Sequence, residues 1–74
     1  MKITGQIHVV NLYVVDESAG VVGTQNRVDA HLHVDSIYVE VSFYMKDNYG
    51  TYELLRDAFN DGRCLYVVEL NESL

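Results

Sequence analysis

Alternation of apolar and polar residues along positions 27–46, with one change of phase, is the feature that most restricts the fold. In the segment 27–35, RVDAHLHVD, the apolar residues occupy even positions, whereas in 37–46 they occupy odd positions. This alternation is the period of a β-strand with one buried face. The phase changes at Asp35-Ser36, where either a β-bulge or a two-residue turn would produce it. We favour the turn, which makes 37–46 a separate strand.

Three further segments complete the predicted order of elements. The stretch 2–15, KITGQIHVVNLYVV, is rich in β-branched residues and has apolar side chains on both faces, which is typical of a strand that is central or covered on its second face. Turn-forming residues fill 16–26 and predict a loop, or a hairpin with its tip near Ala19-Gly20. TYELLRDAFNDG predicts a helix of about three turns with Thr51 as N-cap and Gly62 as its stop. RCLYVVEL, 63–70, predicts the last strand.

The resulting order is β-β-β-α-β, which predicts an α+β fold: a small antiparallel sheet of about four strands with one short amphipathic helix on one face. The chain has 74 residues, 49% of them hydrophobic, and no proline, so we expect a single domain spanning 1–74. Cys64 is the only cysteine and cannot form an internal disulfide, which favours a reducing compartment. No leader pattern or long apolar run is present, and we therefore expect a complete cytoplasmic protein that binds no membrane.

The formal net charge is -6, which repels phosphate backbones and anionic membranes, so we expect no direct nucleic-acid binding. The same charge suggests a basic protein partner. A net charge of magnitude about 2 to 8 is also an ordinary means of keeping a small domain soluble. The charge therefore indicates the class of partner without establishing that there is one.

Histidines on the alternating strand allow a metal-site hypothesis. His31 and His33 project to the same side about 6.6 Å apart, and His8 would join them if strands 1 and 2 pair around a tip near Ala19-Gly20. Asp29 or Asp35 would then serve as a further ligand or would orient one. The hypothesis depends on register, because a slip of one residue sends His8 to the other face. The plainer interpretation is the solvent side of a strand, and a pH-responsive interface is a third one.

Six tyrosines in so short a chain are a stronger signal, because tyrosine is enriched at binding surfaces. Together with nearby carboxylates they predict an acidic surface with aromatic anchors. Its predicted partner-binding residues are Tyr38, Glu40, Tyr44, Asp47, Glu53 and Asp57. Such a surface would suit the basic groove of a nucleic-acid-binding enzyme, with carboxylates in place of phosphates. Scattered, solvated carboxylates are the alternative.

No phosphate-binding loop, nucleophile elbow or paired CxxC motif is present, so we expect neither an enzyme nor a cofactor. The sequence favours a small protein-interaction module, in its narrowest form a virus-encoded inhibitor of a larger basic partner. We also expect a homodimer that buries one face of the first strand. Two alternatives remain open: a structural homo-oligomer subunit without an outside partner, and a metal or small-ligand binder using His8, His31, His33 and Asp29.

Overall fold

A computed structural model describes residues 1–18, 20 and 23–71. The elements are β1 (Lys2–Ser18), β2 (Thr24–Val34), β3 (Ile37–Tyr44), a 3-10 turn (Met45–Asp47), α1 (Tyr49–Asp61) and β4 (Leu65–Glu69). The described strands form one antiparallel sheet in the spatial order β3-β2-β1-β4. The predicted α+β fold and its order β-β-β-α-β are therefore confirmed.

The change of phase at positions 35–36 is a two-residue turn, as predicted. Val34 pairs with Ile37, and both residues between them have positive φ angles, 47° at Asp35 and 74° at Ser36. Positive φ at both central positions is the geometry that joins two right-twisted strands without splaying them. The third strand is shorter than expected, since Met45–Asp47 form a 3-10 turn instead.

Strand β1 is central in the sheet, between β2 and β4, and contains two irregularities. Val10 is an extra residue relative to β2, and the pairing with β4 shifts between Thr4 and Ile7. The extra residue reverses the phase of alternation, so that Val9 before it and Leu12 after it both pack against the core. This β-bulge at Val10 thus explains much of the apolar character that the sequence shows on both faces of β1.

Strands β1 and β2 form a long hairpin, in which Ser18 pairs with Thr24. The connection therefore occupies 19–23, and the predicted tip near Ala19-Gly20 falls where residues 19, 21 and 22 lie outside the described part of the chain. In this register His8 faces His33, not His31.

The β2–β3 turn is attached to β1 through Asp35. The backbone N–H of Asp35 donates to the backbone carbonyl of Gln6 at 3.1 Å, and the backbone N–H of Gln6 donates to Asp35 Oδ1 at 2.9 Å. This carboxylate lies directly over Gly5, whose φ of 135° is one that L side chains rarely adopt. The backbone conformation therefore favours glycine there, and a Cβ, which would lie 2.9 Å from Asp35 Cγ, would also have to displace the carboxylate.

Helix α1 begins two residues before the predicted N-cap. Asn48 occupies the N-cap position, while the Thr51 hydroxyl donates to Glu69 O at 2.6 Å and so ties the helix to β4. Gly62 ends the helix with φ 68°, as predicted. On the helix, Leu55 and Ala58 are buried, whereas Phe59 is 40% exposed.

The core lies between the helix and one face of the sheet. Its buried residues are Ile7, Val28, Ala30, Leu32, Val41, Phe43, Leu55, Val68 and Leu70. Strand β4 is shorter than the predicted 63–70, and Cys64 precedes it as a half-buried residue. No helix in the described ranges has the length and apolar character needed to cross a membrane.

Candidate functional site

The sheet face opposite the helix, here called the open face, carries most of the polar and aromatic side chains of the sheet. Because side chains alternate along paired strands, the residues out of phase with the core share this face. From β1 to β3 the polar and aromatic residues on it include His8, Tyr13, Glu17, Arg27, Asp29, His31, His33, Tyr38, Glu40, Ser42 and Tyr44.

Three aromatic rings meet at the centre of the open face and form the ring cluster: Tyr13, His31 and Tyr38. The His31 ring lies 5.4 Å from that of Tyr13 and 5.8 Å from that of Tyr38, with interplanar angles of 68° and 64°. These are edge-to-face contacts, which aromatic quadrupoles favour. Both tyrosines remain about half exposed, 49% and 52%. The cluster is thus ordered by its own contacts and still presents apolar surface.

A carboxylate borders the ring cluster. Glu40 accepts a hydrogen bond from the Tyr38 hydroxyl at 3.2 Å and lies 3.7 Å from His31 Nε2. The pKa of Tyr38 is raised, first by the desolvation of its hydroxyl and then by its hydrogen bond to this carboxylate. Glu40 therefore places negative charge beside the ring cluster.

A second, hydrogen-bonded group adjoins the ring cluster and centres on Arg27. Its guanidinium binds Glu17 and Asp29. The Ser42 hydroxyl also donates to Asp29 Oδ1 at 2.7 Å, and the Tyr44 hydroxyl donates to Glu17 Oε1 at 2.8 Å. The bond to Glu17 raises the pKa of Tyr44, because phenol ionisation would break it. These bonds hold the β1, β2 and β3 side chains in one arrangement.

Removing the Ser42 hydroxyl is expected to raise the pKa of Asp29. That pKa lies below its ordinary value of 3.8, first because of the Ser42 hydrogen bond and then because of Arg27. A lowered folded-state pKa contributes stability above the unfolded pKa, which is lost as the pH falls through the lowered value. Ser42→Ala should therefore move the NMR titration midpoint of Asp29 towards 3.8. Ser18→Ala, remote from Asp29, should leave the midpoint in place, and an unchanged midpoint in Ser42→Ala would contradict this assignment.

The surface depressions of the described structure include one on the open face and one at the end of β3. One of about 330 Å³ is on the open face and is lined by Tyr13, Arg27, Asp29, His31, Glu40, Val41 and Ser42. The other, of about 510 Å³, lies between the end of β3 and the segment after β4. In the second, the Asn48 amide is already hydrogen-bonded to the backbone of Asn71 at both its oxygen and its nitrogen. The smaller depression has more charged and aromatic side chains in its lining than the larger one.

The predicted partner-binding residues do not form one surface. Tyr38, Glu40 and Tyr44 lie together on β3, and Asp47 lies in the following 3-10 turn. Glu53 and Asp57 lie on α1, which packs on the other face of the sheet. There both are within ion-pair distance of Arg56, at 4.0 and 3.3 Å. The prediction that these two residues share a surface with the β3 residues is wrong, because the helix lies on the opposite face of the sheet from Tyr38, Glu40 and Tyr44.

The predicted histidine site is not assembled. His33 faces His8, whereas His31 faces Asn11 and belongs to the ring cluster. His8 contacts Cys64 instead, with both ring nitrogens 3.3 to 3.4 Å from Sγ, and Asp29 is bonded to Arg27 and Ser42. Within the part of the chain that the structure describes, no group of three or more His, Cys, Asp or Glu side chains is placed to hold a metal ion.

The predicted partner-binding set leaves out three residues of the open face: Tyr13, Glu17 and Arg27. Arg27 shares the alternating phase of Asp29 and His31, so its place on this face was visible in the sequence. Glu17 was assigned to a turn, but β1 extends to Ser18. The position of Tyr13 depends on the extra residue at Val10, for which the sequence carries no signal.

Comparison with known proteins returned no matching family model, no matching curated protein and no matching solved structure.

Proposed function

We propose that this chain is a protein-interaction module whose open face docks on a basic surface of a protein partner. The ring cluster carries the proposal: Tyr13 and Tyr38 flank His31, are held by edge contacts and leave about half of their surface exposed. Ordered tyrosines lose little side-chain entropy on binding and offer both apolar area and a hydroxyl. Such residues commonly anchor protein interfaces.

The charge of the open face supports a cationic partner. Glu17, Asp29 and Glu40 provide three carboxylates against the single guanidinium of Arg27, on a chain of net charge -6. A lysine or arginine side chain entering the depression would meet aromatic rings and the Glu40 carboxylate together. Arg27 also lines the depression, but Glu17 and Asp29 bind its guanidinium. Both contacts favour a cation, through ring quadrupoles and through charge-assisted hydrogen bonds. An arginine suits the site best, because its planar guanidinium also stacks on rings.

The narrower prediction, an inhibitor of a nucleic-acid-binding partner, would need carboxylates in place of several phosphates. Arg27 binds two of the three carboxylates of the open face, Glu17 and Asp29, and Glu40 remains beside the rings. This arrangement favours an anchored cation over a row of phosphate substitutes. The nucleic-acid-binding partner and the viral origin stay predictions.

Two charge-reversal variants test the proposal with equal change in net charge. Glu40→Lys lies on the open face and Glu53→Lys on the helix, and each changes the net charge from -6 to -4. With a short oligoarginine peptide as probe, Glu40→Lys is expected to raise the dissociation constant by about ten-fold or more, as for an interface hot spot. Glu53→Lys should change it much less. Fluorescence anisotropy measures both constants.

Salt dependence and a tyrosine pair complete the design. Added salt should slow association with the wild-type chain, since the attraction between exposed charges is screened. Tyr38→Ala should weaken binding, whereas Tyr66→Ala, an equally bulky and more exposed site on β4, should not. Equal losses in Glu40→Lys and Glu53→Lys would show that net charge alone attracts the peptide, and would reject the open face as the docking surface.

A further inference from the structure

Strand β3 is an edge of the sheet, and its outer side is unpaired within the described residues. A two-residue turn makes its flanking residues, Val34 and Ile37, a hydrogen-bonded pair. Because hydrogen-bonding direction alternates along an antiparallel strand, the odd residues of β3 bond to β2. The backbone N–H and C=O groups of Tyr38, Glu40, Ser42 and Tyr44 therefore point outwards. The strand thus offers a regular row of donors and acceptors.

Features that usually protect an edge strand are scarce on β3. The chain has no proline, β3 contains one charged residue, Glu40, and no bulge interrupts its pairing with β2. Ile37 and Tyr38 are 66% and 52% exposed at its start. Helix α1 lies against β1 and β4, away from this edge. The opposite edge, β4, is shorter and has an ion pair between Lys2 and Glu69 beside it.

We propose that two copies of the chain pair antiparallel through β3 about a two-fold axis at Val41. In this register the outward groups of Tyr38 meet those of Tyr44 of the partner subunit, and those of Glu40 meet Ser42 of the partner subunit. Val41 faces Val41 of the partner subunit on the core side. Each contact is self-complementary, as a two-fold interface requires.

The other symmetric registers are worse. Only the even-numbered residues of β3 have backbone N–H and C=O groups that point outwards, so even-numbered residues must pair with even-numbered residues of the partner subunit. The two-fold axis must therefore pass through a residue. The nearest alternatives to Val41 are the residues on either side of it. An axis at Glu40 sets two carboxylates directly opposite each other, which is destabilising. An axis at Ser42 sets Tyr38 against Lys46 of the partner subunit, which lies in the 3-10 turn and not in the strand. The axis at Val41 pairs Tyr38 with Tyr44 at both ends, the aromatic cross-strand pairing that stabilises sheets.

This dimer differs from the predicted one, which buried a face of the first strand. β1 is hydrogen-bonded on both sides and has no free edge for strand pairing, whereas β3 has one. The β3 dimer also does not depend on a basic partner: it forms from the chain alone, and it sets two open faces side by side in one continuous sheet. A docking surface built this way is bivalent, which raises avidity for a partner with repeated basic sites.

Sedimentation of the purified chain tests the proposal with a matched pair of variants at Ser42. We expect wild-type protein to reach twice the 8.4 kDa mass of one chain as its concentration rises. Ser42→Pro removes only an outward N–H from the monomer backbone, a position that an edge strand tolerates, and should leave a monomer. Ser42→Ala loses the same hydroxyl but keeps the N–H, and should still dimerise. A folded Ser42→Pro variant that dimerises like wild type would overturn the proposal.

If Ser42→Pro does not fold, amide hydrogen exchange on the wild-type chain tests whether the β3 dimer forms. The dimer predicts protection at Tyr38, Glu40, Ser42 and Tyr44 that rises with protein concentration. Fast exchange at all four residues under conditions where the chain is concentrated, or a mass of 8.4 kDa throughout, would exclude the β3 dimer. Neither result bears on oligoarginine binding, so this proposal and the docking proposal can fail separately.

Discussion

Replacing Leu55 with alanine is expected to lower the free energy of unfolding by about 2 to 5 kcal/mol, the range for deleting a buried leucine side chain. Leu55 is fully buried and joins the helix to core residues of the sheet. The only other buried residue of α1 is Ala58, which is already small, so little else can fill the cavity from the helix side. In a domain whose total stability is about 5 to 15 kcal/mol, this loss is a large fraction.

Leu54→Ala provides the control, because it deletes the same atoms one residue away. Leu54 is 51% exposed, and its truncation should cost much less than that of Leu55. Urea denaturation followed by circular dichroism measures both variants, with the slope of the transition as a check on two-state behaviour. Equal losses in the two variants would show that α1 does not pack in the described orientation.

Replacing Gly5 with alanine is expected to cost about 1 to 3 kcal/mol from the backbone conformation alone. The φ of 135° disfavours any L side chain, and the added Cβ would also displace the Asp35 carboxylate. Displacement of this carboxylate breaks the hydrogen bond from the Gln6 backbone N–H to Asp35 Oδ1 and loosens the β2–β3 turn from β1. Urea denaturation should show the combined loss as a lower midpoint.

Gly50→Ala is the matched control for this substitution. Gly50 lies in the first turn of α1 with nothing within 4 Å of the added Cβ, so alanine should be neutral or stabilise by up to about 1 kcal/mol. Asp35→Gly removes the clashing carboxylate at a residue whose φ of 47° glycine adopts easily. In that background Gly5→Ala should cost less than in the wild type. An unchanged cost would mean that the φ angle accounts for the whole effect.

Local rules were sufficient for the order of elements. The period of two, its phase change at Asp35-Ser36 and the stop at Gly62 each depend on a few neighbouring residues, and the structure confirms the period over 27–44 and both of the other features. The same rules could not set the helix start, because the Thr51 hydroxyl bonds to Glu69, a residue distant in sequence. A capping preference cannot anticipate a tertiary partner.

The site was predicted less well than the fold, since it depends on register. One extra residue at Val10 decides which side chains of β1 share a face with His31, and no residue type marks that irregularity. The common face of Tyr38, Glu40 and Tyr44 was predictable because these residues alternate within one strand. Glu53 and Asp57 were misplaced because the sequence does not show which sheet face the helix covers. Patterns within one strand were thus predictable, and relations between elements were not.

The most direct test of docking through the open face is an NMR titration of ¹⁵N-labelled wild-type chain with oligoarginine. Binding at the ring cluster predicts that the largest amide shift changes occur at Tyr13, His31, Tyr38 and Glu40, with small changes along α1 from Tyr49 to Asp61. Changes centred on α1, or spread evenly over the acidic residues of both faces, would contradict the proposed docking surface.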